Sequence, residues 1–167
     1  MKKIVLIGSG GSGKSTMARQ LGEKLNLKVY HLDVLFWKPN WVGVPKNEQI
    51  NIQVELVKEE SWIIDGNYGG TMDIRLNAAD TIIFLDISRW TCMFRMIKRI
   101  LKYHHKTRPD MGEGCEERFS FAFFKWIWKY PHTKRPVILK SLEVLSKHKK
   151  VVIINTPKQV RLFLERL

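Results

Sequence analysis

Cysteine is scarce in this sequence. Cys92 and Cys115 are the only two in 167 residues, and they share no C-x-x-C or other metal-ligand spacing. That excludes a disulfide-stapled fold and a thiolate zinc site. His104-His105 has no H-x-x-x-H companion, which removes the remaining zinc pattern. Long apolar runs are also missing. Nothing approaches the ~20 residues that cross a bilayer, so no membrane is expected among the partners. A strand pattern begins at Lys3, which predicts no signal peptide, and free thiols fit a cytoplasmic protein. Acids thin out in mid-chain: residues 89–140 hold 13 Lys/Arg against 4 Asp/Glu, whereas residues 1–88 hold 10 of each. The middle segment therefore carries most of the formal net charge of +13. It should meet something anionic: a nucleotide, a phosphorylated substrate or nucleic acid.

What the sequence does contain is concentrated near its start. Gly8-Ser9-Gly10-Gly11-Ser12-Gly13-Lys14-Ser15 spells G-x-x-x-x-G-K-[ST], the phosphate-binding P-loop. Lys3 to Ile7 precedes it as a short buried strand. Met17, Leu21 and Leu25 follow at helical spacing. Strand, glycine loop and helix form the context this motif requires. The residue types follow from the ligand. Glycines let successive backbone N–H groups curl around phosphates, and the helix start adds unpaired donors and a positive dipole end. Lys14 should reach the β- and γ-phosphates, Ser15 should ligate Mg²⁺, and Thr16 should turn a hydroxyl toward the α-phosphate.

Strand and helix patterns then alternate. Strands are predicted at 27–33, 62–66, 81–86 and 150–155, with helices at 48–60, 89–102 and 158–167. Five short apolar strands separated by helices predict an α/β fold: a five-stranded parallel sheet, helices on both faces, in one domain of residues 1–167. Ligands in such sheets gather at the carboxyl ends of strands. The P-loop, Asp33, Asp65, Asp86 and Asn155 all fall there. Residues 103–136 break the rhythm and read as a basic, lid-like excursion over the site. Within it, Phe119 to Tyr130 is aromatic on nearly every side. A lid helix packed on the core, a base-stacking platform and a dimer surface all remain open.

The order of P-loop, acid-ended second strand, Ile64-Asp65-Gly66 and basic helix resembles the nucleoside monophosphate kinase and shikimate kinase superfamily. His31-Leu32-Asp33, Phe36-Trp37, Trp62 to Tyr68, Arg75, Lys106-Thr107-Arg108-Pro109-Asp110-Met111 and Lys125-Trp126-Ile127-Trp128 more closely resemble a bacterial FlaR-related group labelled DNA topology modulation proteins. The superfamily resemblance implies ATP and Mg²⁺ as cofactors and γ-phosphoryl transfer to a small-molecule or nucleotide acceptor. The group label implies the alternative, a DNA-binding ATPase or regulator, with DNA a weak and non-specific partner of the kinase reading. By the same resemblance, Asp65 orders the Mg²⁺ shell, and Asp86 is its rival. Arg95 and Arg99 meet the triphosphate. Arg108 is the lid arginine, with Arg118 and Arg135 as further partners, and Asn155-Thr156-Pro157 cup the adenine. Asp33 stands where these kinases place an acid near the acceptor hydroxyl, though a helix-capping role is equally open. Trp37, Trp41 and Tyr68 either wall an acceptor pocket or cover the sheet edge. The arginine that follows Asp-Gly in adenylate kinases is absent. Arg75 is the nearest, so AMP is not the expected acceptor.

Overall fold

The computed structural model describes all of residues 1–167. At its centre is β1 (Lys3–Gly8), an apolar run buried on both faces. It leads through the glycine loop into α1 (Lys14–Leu25). The chain returns as β2 (Val29–His31), a short α2 (Leu32–Phe36), and a small hairpin of β3 (Trp37–Lys38) and β4 (Val42–Gly43). Then come α3 (Lys46–Leu56), β5 (Trp62–Asp65), α4 (Met72–Ala78), β6 (Thr81–Leu85) and α5 (Arg89–Tyr103). An irregular stretch separates α5 from α6 (Phe121–Thr133) and α7 (Arg135–Leu145). The chain closes with β7 (Lys150–Ile154) and α8 (Pro157–Glu165). No helix is long and apolar enough to cross a membrane.

The main sheet runs β2-β5-β1-β6-β7, every pairing parallel. Alternation along each strand splits the core into two layers. Ile4, Leu6, Ile63, Ile83 and Leu85 face α1 and α5 through Met17, Leu21, Cys92 and Met96. Val5, Ile7, Ile64, Ile82 and Phe84 face the other side, with Leu76 and Leu142. All five strands therefore deliver their carboxyl ends to one edge, as a parallel sheet covered on both faces must.

The excursion is shorter than residues 103–136. Phe124 and Ile127 of α6 enter one core layer and Tyr130 the other. The helix is thus part of the body, wedged where both layers meet. That is why its aromatics do not keep to a single face. Phe123 and Trp126 of α6 also line the cavity with Arg108 and Glu117, and the part not packed into the core is residues 104–120. They fold down onto the β3–β4 hairpin: Asn40 donates its backbone N–H to the Gly114 carbonyl at 3.1 Å, and the Cys115 thiol donates to the Lys38 carbonyl at 3.1 Å.

Candidate active site

The glycine loop is shaped by contact as well as by conformation. Gly11 holds φ 76°, and a Cβ there would run into the Cys92 carbonyl of α5. Gly8 holds φ 150°, and a Cβ would lie 2.6 Å from the Leu85 carbonyl. Larger residues are thus excluded by the neighbouring strand and helix. Asn67 clamps the loop's base: its Oδ1 accepts from the Gly8 N–H at 3.2 Å, and its amide donates back to the Gly8 carbonyl. The start of α1 has no side-chain cap, so its N–H groups stay open to a ligand.

Gly10 through Thr16 line a cavity of about 870 Å³, while Gly8 and Ser9 form the loop behind it. Lys14 folds back, donating from Nζ to the Ser9 carbonyl at 2.9 Å. Burial lowers its pKa, with the charges of Asp65 and Asp33 opposing the shift. Ser12 Oγ is buried and makes no hydrogen bond. Asp65, also on the cavity wall, lies with Oδ2 3.0 Å from His31 Nδ1 and accepts from it in the tautomer that carries the proton there. Its Oδ1 is buried without a partner. A buried hydroxyl and a buried carboxylate oxygen left unmatched in one cavity fit a phosphate and the hydrated shell of Mg²⁺. Ser15 and Asp65 are the residues that would hold the ion.

Asp86 lies elsewhere. Both its carboxylate oxygens accept from Arg135 Nε, at 2.8 and 3.0 Å, which pins the start of α7 to the end of β6. Neither residue lines the cavity, whereas Asp65 does. Asn155 and Thr156 are also outside the wall. Thr156 caps α8 in a capping box with Gln159. Pro157 and Val160 reach the cavity instead.

The other end of the cavity is built on α2, the hairpin and the loop after β5. Tyr68 donates its hydroxyl proton to Asp33 Oδ1 at 2.6 Å and accepts from Trp37 Nε1 at 2.9 Å. Burial raises the Asp33 pKa, and the Tyr68 hydrogen bond partly opposes this. Asp33 does not cap a helix through its side chain. Trp41 packs edge-on to Trp37, with ring centroids 5.6 Å apart, and carries the Arg118 guanidinium 5.2 Å from its own centroid. Both indoles line the cavity. Arg75 does not. It is buried, with Nη1 donating to Gln53 Oε1 at 2.8 Å and Nη2 to the Gly66 carbonyl at 2.9 Å. Burial pushes its pKa down to about 10. It props the Gly66–Thr71 loop rather than facing an acceptor.

Arg95, Arg99 and Arg108 converge on the cavity. Arg95 Nη1 donates to the Ser12 carbonyl at 3.0 Å. Arg99 and Arg108 share the buried Glu117, at 2.9 and 2.7 Å, and Arg108 also pairs with Asp110 at 3.2 Å. Burial lowers the Arg99 pKa, and the nearby Arg108 charge adds to that. Burial pushes the Asp110 carboxyl up, but Arg108 and a hydrogen bond from Ser15 outweigh it and hold the pKa down. Sequence reasoning assigned no role to Glu117 or Asp110. The available signal was that the only four acids of residues 89–140 cluster at 110–117, inside a basic segment that supplies arginines as neighbours.

No family model matches the chain. It is 29% identical over 113 residues to a shikimate kinase from Sulfurihydrogenibium sp. (strain YO3AOP1), covering 58% of this chain and 67% of that protein. Among solved structures, a shikimate kinase from Acinetobacter baumannii in complex with shikimate superimposes with a TM-score of 0.60 at 13% identity. The match covers 99% of this chain and 90% of that one. A shikimate kinase from Bacteroides thetaiotaomicron gives 0.57 at 20% identity, covering 98% and 94%. A sugar kinase from Janibacter sp. HTCC2649 gives 0.56 at 14%, covering 99% and 91%. The chain therefore shares its fold with the shikimate kinases over nearly its whole length.

Proposed function

We propose that the protein binds Mg·ATP in this cavity and transfers the γ-phosphoryl group to a hydroxyl of a small acceptor held against Asp33. The observation that carries this reading is the shared cavity: the P-loop lysine and serines line it together with Asp33, Asp65 and three arginines. In the transfer, the acceptor oxygen forms a bond to the γ-phosphorus as the bond to the bridging β–γ oxygen breaks, leaving ADP. The acceptor proton passes to Asp33. With Oδ1 held by Tyr68, Oδ2 is left for the acceptor. The raised pKa makes Asp33 a better base than an ordinary carboxylate. Lys14, Arg95, Arg99 and Arg108 neutralise the phosphates, and Mg²⁺, when bound, supplies further charge neutralisation on the phosphate oxygens. Residues 104–120, resting on the hairpin, exclude water from the reacting groups.

The likeness to the FlaR-related group rests on residues alone. The arginines of the cavity favour the kinase reading over a DNA grip there, since Arg99 and Arg108 are paired inside it with Glu117 and Asp110. Two free cysteines and consumption of ATP fit a cytoplasmic setting. Calorimetry of Lys14→Ala with Mg·ATP tests the reading. Affinity should fall and turnover should drop about a hundredfold or more. Unchanged affinity and turnover would refute it.

A further inference from the structure

One face of α5 has no partner in the fold. Trp90, Phe94, Ile97 and Leu101 recur at helical spacing and are 66%, 60%, 49% and 74% exposed. They form a single apolar stripe along the helix. Buried Cys92 and Met96 occupy the opposite side, and Arg95 and Arg99 point into the cavity from a third. The stripe therefore belongs to neither the core nor the site. It widens onto α6, where Trp128 meets Trp90 edge-on with ring centroids 4.9 Å apart.

Every charged residue on the rim of the stripe is basic. No acid occurs between Asp86 and Asp110, or between Glu117 and Glu143, so both helices are free of negative charge. Arg89 lies over the Trp128 ring at 4.1 Å, and Lys98 Nζ lies 5.3 Å from the Phe94 ring. Lys125 and Lys129 are exposed on α6. An apolar stripe of Trp, Phe, Ile and Leu bordered by Lys and Arg is the pattern of a helix that lies in a membrane interface. Trp90 and Trp128 carry the amphipathic rings favoured at headgroup depth.

We infer that the α5 face docks on an anionic lipid surface, with the stripe in the headgroup layer and the lysines on lipid phosphates. This departs from the expectation, drawn from the lack of a spanning run, that no membrane takes part. Charge complementarity decides the occupant. A second copy would bring two acid-free basic helices together with nothing to neutralise them. A nucleic-acid backbone would satisfy the rim but leave Ile97 and Leu101 facing phosphates.

Sedimentation of the whole protein with phosphatidylcholine vesicles, with and without phosphatidylglycerol, tests the inference. Binding should require the anionic lipid, weaken with salt, and shift tryptophan emission to the blue. Phe94→Glu/Leu101→Glu should abolish binding while leaving the circular dichroism and melting temperature unchanged, since both residues are exposed. Lys125→Glu/Lys129→Glu keeps the stripe, touches no residue of the cavity wall, and should weaken binding about tenfold or more. No binding, or equal binding to neutral vesicles, overturns the inference. So does a dimer, or single-stranded oligonucleotide binding, that Phe94→Glu/Leu101→Glu abolishes while vesicle binding persists.

Discussion

Glu117 lies 2.7 Å from Arg108, Oε2 against Nε, and both side chains are buried. The same carboxylate holds Arg99 at 2.9 Å. Two of the cations aimed at the phosphates are thus neutralised by one acid before any nucleotide arrives. This keeps like charges together in the site, and it makes the lid's position depend on charge balance.

Glu117→Gln should therefore lower the stability of the nucleotide-free protein by about 2–4 kcal/mol, because two guanidiniums lose a shared counter-charge. Mg·ATP should restore part of the loss by supplying negative charge, so the nucleotide-induced rise in melting temperature should exceed that of the wild type. Thermal melts with and without Mg·ATP check this. An unchanged apo melting temperature would show that the ion pairs contribute nothing.

Asp33 and Tyr68 set a pH dependence. Burial raises the Asp33 pKa above its ordinary 3.8. The base is lost as pH falls through that raised value, so turnover should decline on the acid side at a higher pH than for an ordinary carboxylate. Tyr68 donates to the charged form and opposes the shift. Tyr68→Phe should move the acid limb further up. A pH profile of kcat/KM for both proteins decides it, and a limb that stays put or moves down in Tyr68→Phe would exclude Asp33 as the base.

Arg75 is predicted to be structural. Arg75→Ala leaves Gln53 Oε1 and the Gly66 carbonyl without their buried donor, which should cost about 2–4 kcal/mol. Urea denaturation measures it. In the fraction that remains folded, the KM for a small acceptor should change little, since Arg75 does not face the cavity.

The glycine loop and the strands were legible because their signals are local. A P-loop is a run of eight residues, and β1, β5 and β6 are apolar runs that need only burial to be recognised. Asp65 does end β5, as its apolar run predicts, whereas β2 stops at His31 and Asp33 lies in α2 rather than at the end of a strand. Asp86 follows the same local rule yet pairs with Arg135, 49 residues away, so only tertiary structure separates it from Asp65. The α6 aromatics left three readings open because Phe124 and Tyr130 enter different core layers, a consequence of where the helix crosses the sheet. The hairpin at 37–43 and its contact with Gly114 were also hidden. Its two-residue strands carry no periodicity, and its partner lies far along the chain.

The central claim is phosphoryl transfer to a small hydroxyl acceptor. ADP release at physiological salt, measured across a panel of small polyols, hydroxy acids, nucleosides and nucleotides with duplex DNA as a parallel arm, tests it most directly. Turnover should depend on one small acceptor, disappear in Lys14→Ala, and be indifferent to DNA. ATP hydrolysis strongly stimulated by DNA, with no small molecule able to replace it, would contradict the account.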